Sequence, residues 1–244
     1  MVKLRGGGVY NSLDSSFEMR KIAINTQLDL EDIKRRVKCF TPIIANKKYL
    51  DVGAGNGAML ESFRDIALEV SGVEPQNKVL EVLQKSGYEM FKSIDSVPND
   101  TFEVVSLFHV FGQLSTPLDD LKTLYSKIKK DGRIIIEVPH AKDFLLQFLK
   151  IEAFFDFTFR NVEQLIVHTR ESLVKYLSFC GFKDIVVQSI QRYPLANHLY
   201  WLNKKAPKGH VIWNFLRTQE LDSAYADLLK SMDMSDTLIV YATK

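Results

Sequence analysis

At 244 residues and 46% hydrophobic composition the chain can bury one substantial core, and it fits a single α/β domain with insertions. Thirty-two Lys plus Arg against thirty Asp plus Glu leave a net charge of +2, so no whole-molecule field draws it onto nucleic acid or an anionic membrane, and a small-molecule partner is the default. Residues 1–20 lack the apolar core of a signal peptide and no run is long enough to span a bilayer, so membrane insertion is excluded and a cytoplasmic location is expected.

Residues 1–27 carry Lys3, Arg5 and Gly6-Gly7-Gly8 and then small polar side chains, a composition that favours a mobile segment. From Leu28 to Ile44 apolar residues recur at helical spacing (Leu30, Ile33, Val37, Phe40, Ile44), with acids early and bases later, which predicts an amphipathic helix lying on a sheet. There follow strand 48–52, helix 57–67, strand 69–73, helix 77–85, strands 88–92 and 102–108, helix 118–129 and strand 132–138. Such alternation predicts a parallel sheet with helices on both faces. Thr169 caps a helix over 170–180 that Gly181 closes; strand 183–189, helix 218–231 and strand 237–243 complete the chain. Two segments depart from the alternation: 139–168, rich in Phe, and 190–217, which holds Tyr193, Tyr200, Trp201, Trp213, His198 and His210. Long insertions in a compact domain commonly serve as lids or binding loops. Cys39 and Cys180 sit in apolar helical contexts and read as buried thiols. No metal is expected, since the nearest clusters, Asp119-Asp120 and His140 with Asp143, lack supporting ligands.

Gly53, Gly55 and Gly57 follow an apolar strand and open a helix, where backbone must turn sharply and approach a ligand without Cβ atoms in the way. Glu74 ends the next strand, placed to accept both hydrogen bonds of a ribose diol. Glycine turn plus acidic strand end implies an adenosine site. The pattern leaves the cofactor open, because Gly53, Gly55 and Ala58 also satisfy the loose dinucleotide fingerprint.

The run Tyr49-Leu50-Asp51-Val52-Gly53-Ala54-Gly55-Asn56-Gly57 resembles the first motif of class I S-adenosylmethionine-dependent methyltransferases, with its acid two before the first glycine. The resemblance continues through Phe102–Val110 and Lys130–Pro139, covering roughly residues 45–140. It implies a doubly wound, Rossmann-like seven-stranded sheet whose last strand alone is antiparallel, one domain of three parts: a cap segment 1–46, a cofactor-binding half 47–140, and a substrate-side half 141–244 with the lid-like insertion 190–217. It also implies S-adenosylmethionine as cofactor, with Asp51, Gly53, Gly55 and Gly57 lining it, Glu74 on the ribose, Asp95 at the adenine amine, and Phe108 with His109 beside the amino-acid end. Many relatives continue His-Val-Leu-Glu-His where this chain has His109-Val110-Phe111-Gly112-Gln113, so any role of that Glu and His is lost here. The C-terminal half, through Val167–Leu173 and Gln191–Leu202, resembles a bacterial branch tied to surface polysaccharide and sugar modification, which implies a nucleotide-activated sugar or phosphorylated acceptor.

Methyl transfer is an in-line displacement, and a hydroxyl acceptor must shed its proton, for which neutral histidine is suited. Of the five histidines, His198, His168 and His210 are the candidate bases, while His109 shapes the cofactor site. Arg192, with Arg160 or Arg170, could clamp an anion on the substrate, joined by Tyr193 and Asn197. Two rival functions stay open, a nicotinamide-dependent oxidoreductase and a cofactor-binding scaffold without turnover; a homodimer is also left open.

Overall fold

The computed structural model of the protein describes residues 27–161 and 164–244. The mobile stretch expected at the N-terminus, and with it most of the 1–46 cap, lies outside the described residues.

Helix α1 (Gln27–Ile44) enters first. Its stripe of Ile33, Val37, Phe40 and Ile44 packs on Tyr49, Val104, Ile135 and Ile239 of the sheet. Cys39, between those positions, falls on the outer face and is exposed, against the expectation of a buried thiol; Cys180 is buried. Strand β1 (Lys48–Val52) leads to helix α2 (Ala58–Phe63), β2 (Glu69–Val73), α3 (Asn77–Lys85), β3 (Glu89–Phe91), β4 (Phe102–Phe108), α4 (Pro117–Lys127) and β5 (Ile128–Pro139). Helix α2 stops short of residue 67 because the Ile66 carbonyl accepts the Asn46 N–H at 3.0 Å, turning the chain back into β2. Strand β5 begins at Ile128, opposite Phe102, and then skips register before Arg133 pairs with Val104. Asp131, at φ 61°, sits in this irregular stretch.

After β5 come a π-helical turn (Phe144–Phe148), helix α5 (Glu152–Asp156) and a second π-helical turn (Phe157–Asn161). Helix α6 (Arg170–Phe179) is capped by Thr169, whose hydroxyl accepts the Ser172 N–H at 3.1 Å. Strand β6 (Lys183–Ile190), helices α7 (Leu195–Lys204), α8 (Gly209–Ile212) and α9 (Gln219–Ser231), and β7 (Thr237–Thr243) complete the chain.

The sheet order is β3-β2-β1-β4-β5-β7-β6, and β7 runs antiparallel to both neighbours while the other strands are parallel. Leu50, Val105, Leu107, Ile134 and Leu238 fill the face opposite α1, against Leu121 and Leu124 of α4 and Leu173 and Leu177 of α6. Strand order reverses between β1 and β4, which opens the crevice where such sheets hold ligands. Both segments that broke the alternation gather beyond those strand ends, and Trp201 of α7 is buried among Leu145, Phe154 and Phe157.

Candidate active site

Strand β1, central and buried, delivers Asp51 and Val52 to the crevice, where the chain leaves the sheet through the glycine turn. Gly53 has φ +75°, and a Cβ there would stand 2.3 Å from Val110 Cγ2, so only glycine lets the turn close on the end of β4. Its N–H donates to the Val73 carbonyl at 2.8 Å. Glu74 fixes the next corner: Oε2 accepts the Gly55 N–H and Oε1 the Gln76 N–H, both at 2.9 Å. Burial pushes the Glu74 carboxyl up. Asp51 lies at the end of a buried relay in which Ser106 Oγ is 2.6 Å from both Asp51 Oδ1 and the Tyr49 hydroxyl. Burial pushes Asp51 up to about 6.

A cavity of about 240 Å³ lies over this turn, bordered by Asp51, Gly53, Gly55, Phe108 and His109 and by Asp32 and Arg36 of α1. Beside it a larger cavity, about 410 Å³, has mostly apolar walls, among them Pro139, Leu146, Phe154, Phe157 and Trp201. His140, Asp143, Asn197, His210 and Asp236 add polar groups. His109 and Arg192 border both spaces, so the two cavities meet at those side chains.

The junction is held by buried charge. Glu137, fully buried on β5, receives Arg35 Nη2 at 2.9 and 3.0 Å, is paired with Arg36, and has His109 Nε2 3.1 Å from one oxygen. Burial alone would raise its pKa, but His109 and the two guanidinium groups hold Glu137 well below the usual carboxylate range. Burial, reinforced by the Arg192 charge, pushes His109 down to about 4, so its imidazole is neutral at neutral pH. Arg192 forks onto Asp32, with Nε at 2.8 Å and Nη2 on the same oxygen, tying α1 to the chain after β6. Asp236 Oδ2 accepts the N–H groups of Arg192 and Tyr193, each at 2.9 Å, and burial raises it to about 6. Asp143 Oδ1 accepts the N–H groups of Leu145 and Leu146 at 2.7 and 2.9 Å. Burial, with Asp236 nearby, pushes Asp143 up to about 7.

Of the residues expected at the cofactor, Asp51, Gly53, Gly55, Phe108 and His109 border the smaller cavity. Gly57 and Glu74 stand behind it, and Asp95 lies exposed on a 3₁₀ turn, outside both cavities. Arg192, Tyr193, Asn197 and His210 border the larger one. His198 and His168 border neither: His198 stacks on Phe144 with Nδ1 2.6 Å from the Tyr225 hydroxyl, and His168 stacks on Phe111. The anion clamp does not assemble, since Arg192 is engaged by Asp32, Arg170 by Asp233 at 2.6 Å, and Arg160 by Asp156 on an exposed surface. Asp32, Arg36, Glu137 and Asp236 were missed. Glu137 was legible as a lone charge in the apolar run Ile134–Val138. Gly112 also gains a reason: a Cβ there would stand 2.5 Å from the Ile166 carbonyl, and the Gly112 carbonyl accepts the Leu165 and Ile166 N–H groups.

A family model described as a methyltransferase domain matches residues 24–188. The mitochondrial ubiquinone biosynthesis O-methyltransferase of Schizosaccharomyces pombe is 27% identical over 140 residues, 50% of this chain and 48% of that protein, so the match spans about half of that relative's length. The ubiquinone biosynthesis O-methyltransferase of Actinobacillus pleuropneumoniae is 24% identical over 186 residues, 68% of this chain and 77% of the relative. In fold, a SAM-dependent methyltransferase of Archaeoglobus fulgidus superposes with a TM-score of 0.62 at 18% identity, covering 95% of this chain and all of the other.

Proposed function

The chain belongs to the methyltransferase-domain family and is a class I S-adenosylmethionine-dependent methyltransferase, and from that premise we propose that it methylates a hydroxyl on a small molecule with an aromatic or otherwise apolar body. Family membership argues against the nicotinamide alternative, and methyl transfer to an acceptor would separate the enzyme from a scaffold without turnover. What carries the acceptor reading is the pair of abutting cavities, one over the glycine turn and one with aromatic and aliphatic walls, sharing His109 and Arg192.

The residues fit the cofactor. Gly53 and Gly55 would let its methionine end approach the backbone, Arg36 offers a cation to its carboxylate, and Glu74 stands at the strand end for its ribose. When bound, the sulfonium supplies an activated methyl group. The chain's part is to fix the acceptor behind that methyl, exclude water and receive the acceptor's proton. Phe154, Phe157 and Trp201 suit a planar or aliphatic body. The relatives are named for O-methylation in ubiquinone biosynthesis, which agrees with an oxygen as the acceptor atom. A nucleotide-activated sugar or surface-glycan precursor, the acceptor implied by the C-terminal resemblance, finds less support: the larger cavity's surface is mostly apolar, Arg192 on its wall is held by Asp32, Arg170 and Arg160 lie outside it, and Lys208 is the other cation that borders it.

Calorimetry with S-adenosylhomocysteine and NAD, followed by methyl transfer from labelled S-adenosylmethionine to alkyl catechols and to UDP-sugars, tests this reading. Saturable S-adenosylhomocysteine binding with label in the catechol is expected. Label in the sugar alone would overturn the acceptor assignment.

A further inference from the structure

His140 follows Pro139 at the end of β5 and borders the larger cavity. Its backbone is pinned on three sides. The His140 N–H donates to the Asp236 carbonyl at 2.9 Å, its own carbonyl accepts the Asp143 N–H at 3.0 Å, and it forms a parallel bridge with His168. The ring is fully buried, and Nδ1 lies 3.1 Å from the Ser235 carbonyl, which can only accept, so Nδ1 carries the proton. That assigns the lone pair to Nε2, which is buried and has no hydrogen-bond partner among the described residues. A buried polar atom left unpaired costs about 1–3 kcal/mol, a cost that a ligand group can relieve once the wall of the adjoining cavity opens onto the ring, which is fully buried in this structure. Of the other titratable groups on this wall, Asp143 Oδ1 and Asp236 Oδ2 each hold two backbone N–H groups, His210 Nδ1 lies 3.2 Å from Asn197 Oδ1, and His109 leans on Glu137; Asp236 Oδ1, buried without a hydrogen bond among the described residues, is the rival base.

We propose that His140 is the general base of this methyltransferase, its Nε2 taking the proton of the acceptor hydroxyl while the Ser235 carbonyl fixes the tautomer. This rests on the reading of the larger cavity as the acceptor site. As the acceptor oxygen's lone pair forms the new C–O bond, the C–S bonding pair stays on sulfur and the O–H proton passes to Nε2. The imidazolium then releases that proton to water. Burial pushes His140 below the ordinary histidine value; Asp233 opposes this, while Arg170 and Lys142 reinforce it. The base is therefore in its neutral, competent form at neutral pH.

The variant His140→Asn keeps an amide N–H near the Nδ1 position and removes Nε2. With an alkyl catechol, kcat should fall by about 100-fold or more, while S-adenosylhomocysteine affinity stays unchanged. With 4-alkyl-nitrocatechol, whose hydroxyl ionises unaided, the variant should recover most of the wild-type rate. The acidic limb of the wild-type kcat profile should vanish in His140→Asn and persist in Asp143→Asn. Persistence of that limb in His140→Asn, or an equal loss with both catechols, would overturn the proposal and shift the role to Asp143 or Asp236. A ¹⁵N spectrum of histidine-labelled protein supplies a readout without turnover: Nδ1–H with a bare Nε2 is expected for His140, and the Nε2–H tautomer would overturn the assignment. Absence of transfer by wild-type protein to any catechol would instead sink the acceptor reading.

Discussion

Glu74 and His198 show how differently two site candidates behave once their neighbours are known. Glu74 holds the glycine turn through two backbone N–H groups. Truncation in Glu74→Ala leaves both donors unpaired, loosens the glycine turn and, on the proposed cofactor placement, removes an acceptor for the ribose. We expect S-adenosylhomocysteine affinity to fall at least about tenfold, with about 1–3 kcal/mol lost from stability; unchanged affinity in calorimetry would remove Glu74 from the cofactor site. His198, by contrast, is packed between Phe144 and Tyr225, away from both cavities. His198→Ala should lower the melting temperature, with a cost of about 1–3 kcal/mol, and leave KM and the cofactor Kd unchanged. A fall in kcat with full stability would restore it to the chemistry. Sequence pattern separated these two poorly. A strand end followed by a turn localises Glu74, whereas a histidine in an aromatic-rich insertion looks the same whether it meets ligand or core.

At the scale of elements, periodicity was a good guide wherever a segment has one apolar face. Strands β1, β2, β4 and β7 and helix α3 keep the bounds their alternation predicts, because each is fixed by burial against the sheet or within it. The 139–168 stretch was opaque, since Phe144, Phe148, Phe157 and Phe159 lie in π-helical turns that have neither period, and Phe154 and Phe155 in a five-residue helix too short to show one. Asp143 organises the first of those turns, accepting the Leu145 and Leu146 N–H groups from a buried position. Its carboxyl is pushed from an ordinary 3.8 up to about 7, so folding favours the protonated acid. The associated stability is present below the unfolded pKa and is lost as pH rises through the folded one. Asp143→Asn keeps an oxygen acceptor and carries no charge. It should exceed wild type in stability by on the order of 2 kcal/mol at about pH 8, the gap closing toward about pH 4 in denaturant titrations. A gap that does not change with pH would show that the carboxyl does not titrate there.

At the scale of the whole molecule, two distant stretches of chain meet beyond the sheet. The glycine turn followed from local pattern, because it is built from neighbours in sequence; the seven-stranded sheet with its antiparallel last strand followed from family resemblance alone, since β1 pairs with β4 and β7 inserts between β5 and β6, far apart along the chain. The larger cavity followed from neither. Its walls come from the segment after β5 and from α7, and its junction with the cofactor space depends on Arg192 reaching Asp32 on α1, contacts no window of sequence contains. Trp201 joins these parts, buried with Phe154 at a ring distance of 5.1 Å and Phe157 at 5.4 Å while also bordering the cavity. Trp201→Ala would open the wall between the two segments and cost about 3–5 kcal/mol. The milder Trp201→Phe retains a flat apolar surface and should fold, so it separates roles. Were the cavity the acceptor site, Trp201→Phe would raise KM for an alkyl catechol several-fold, increasingly with alkyl chain length, while leaving S-adenosylhomocysteine affinity untouched, since Trp201 borders only the larger space. A KM independent of chain length would place the apolar body of the acceptor elsewhere.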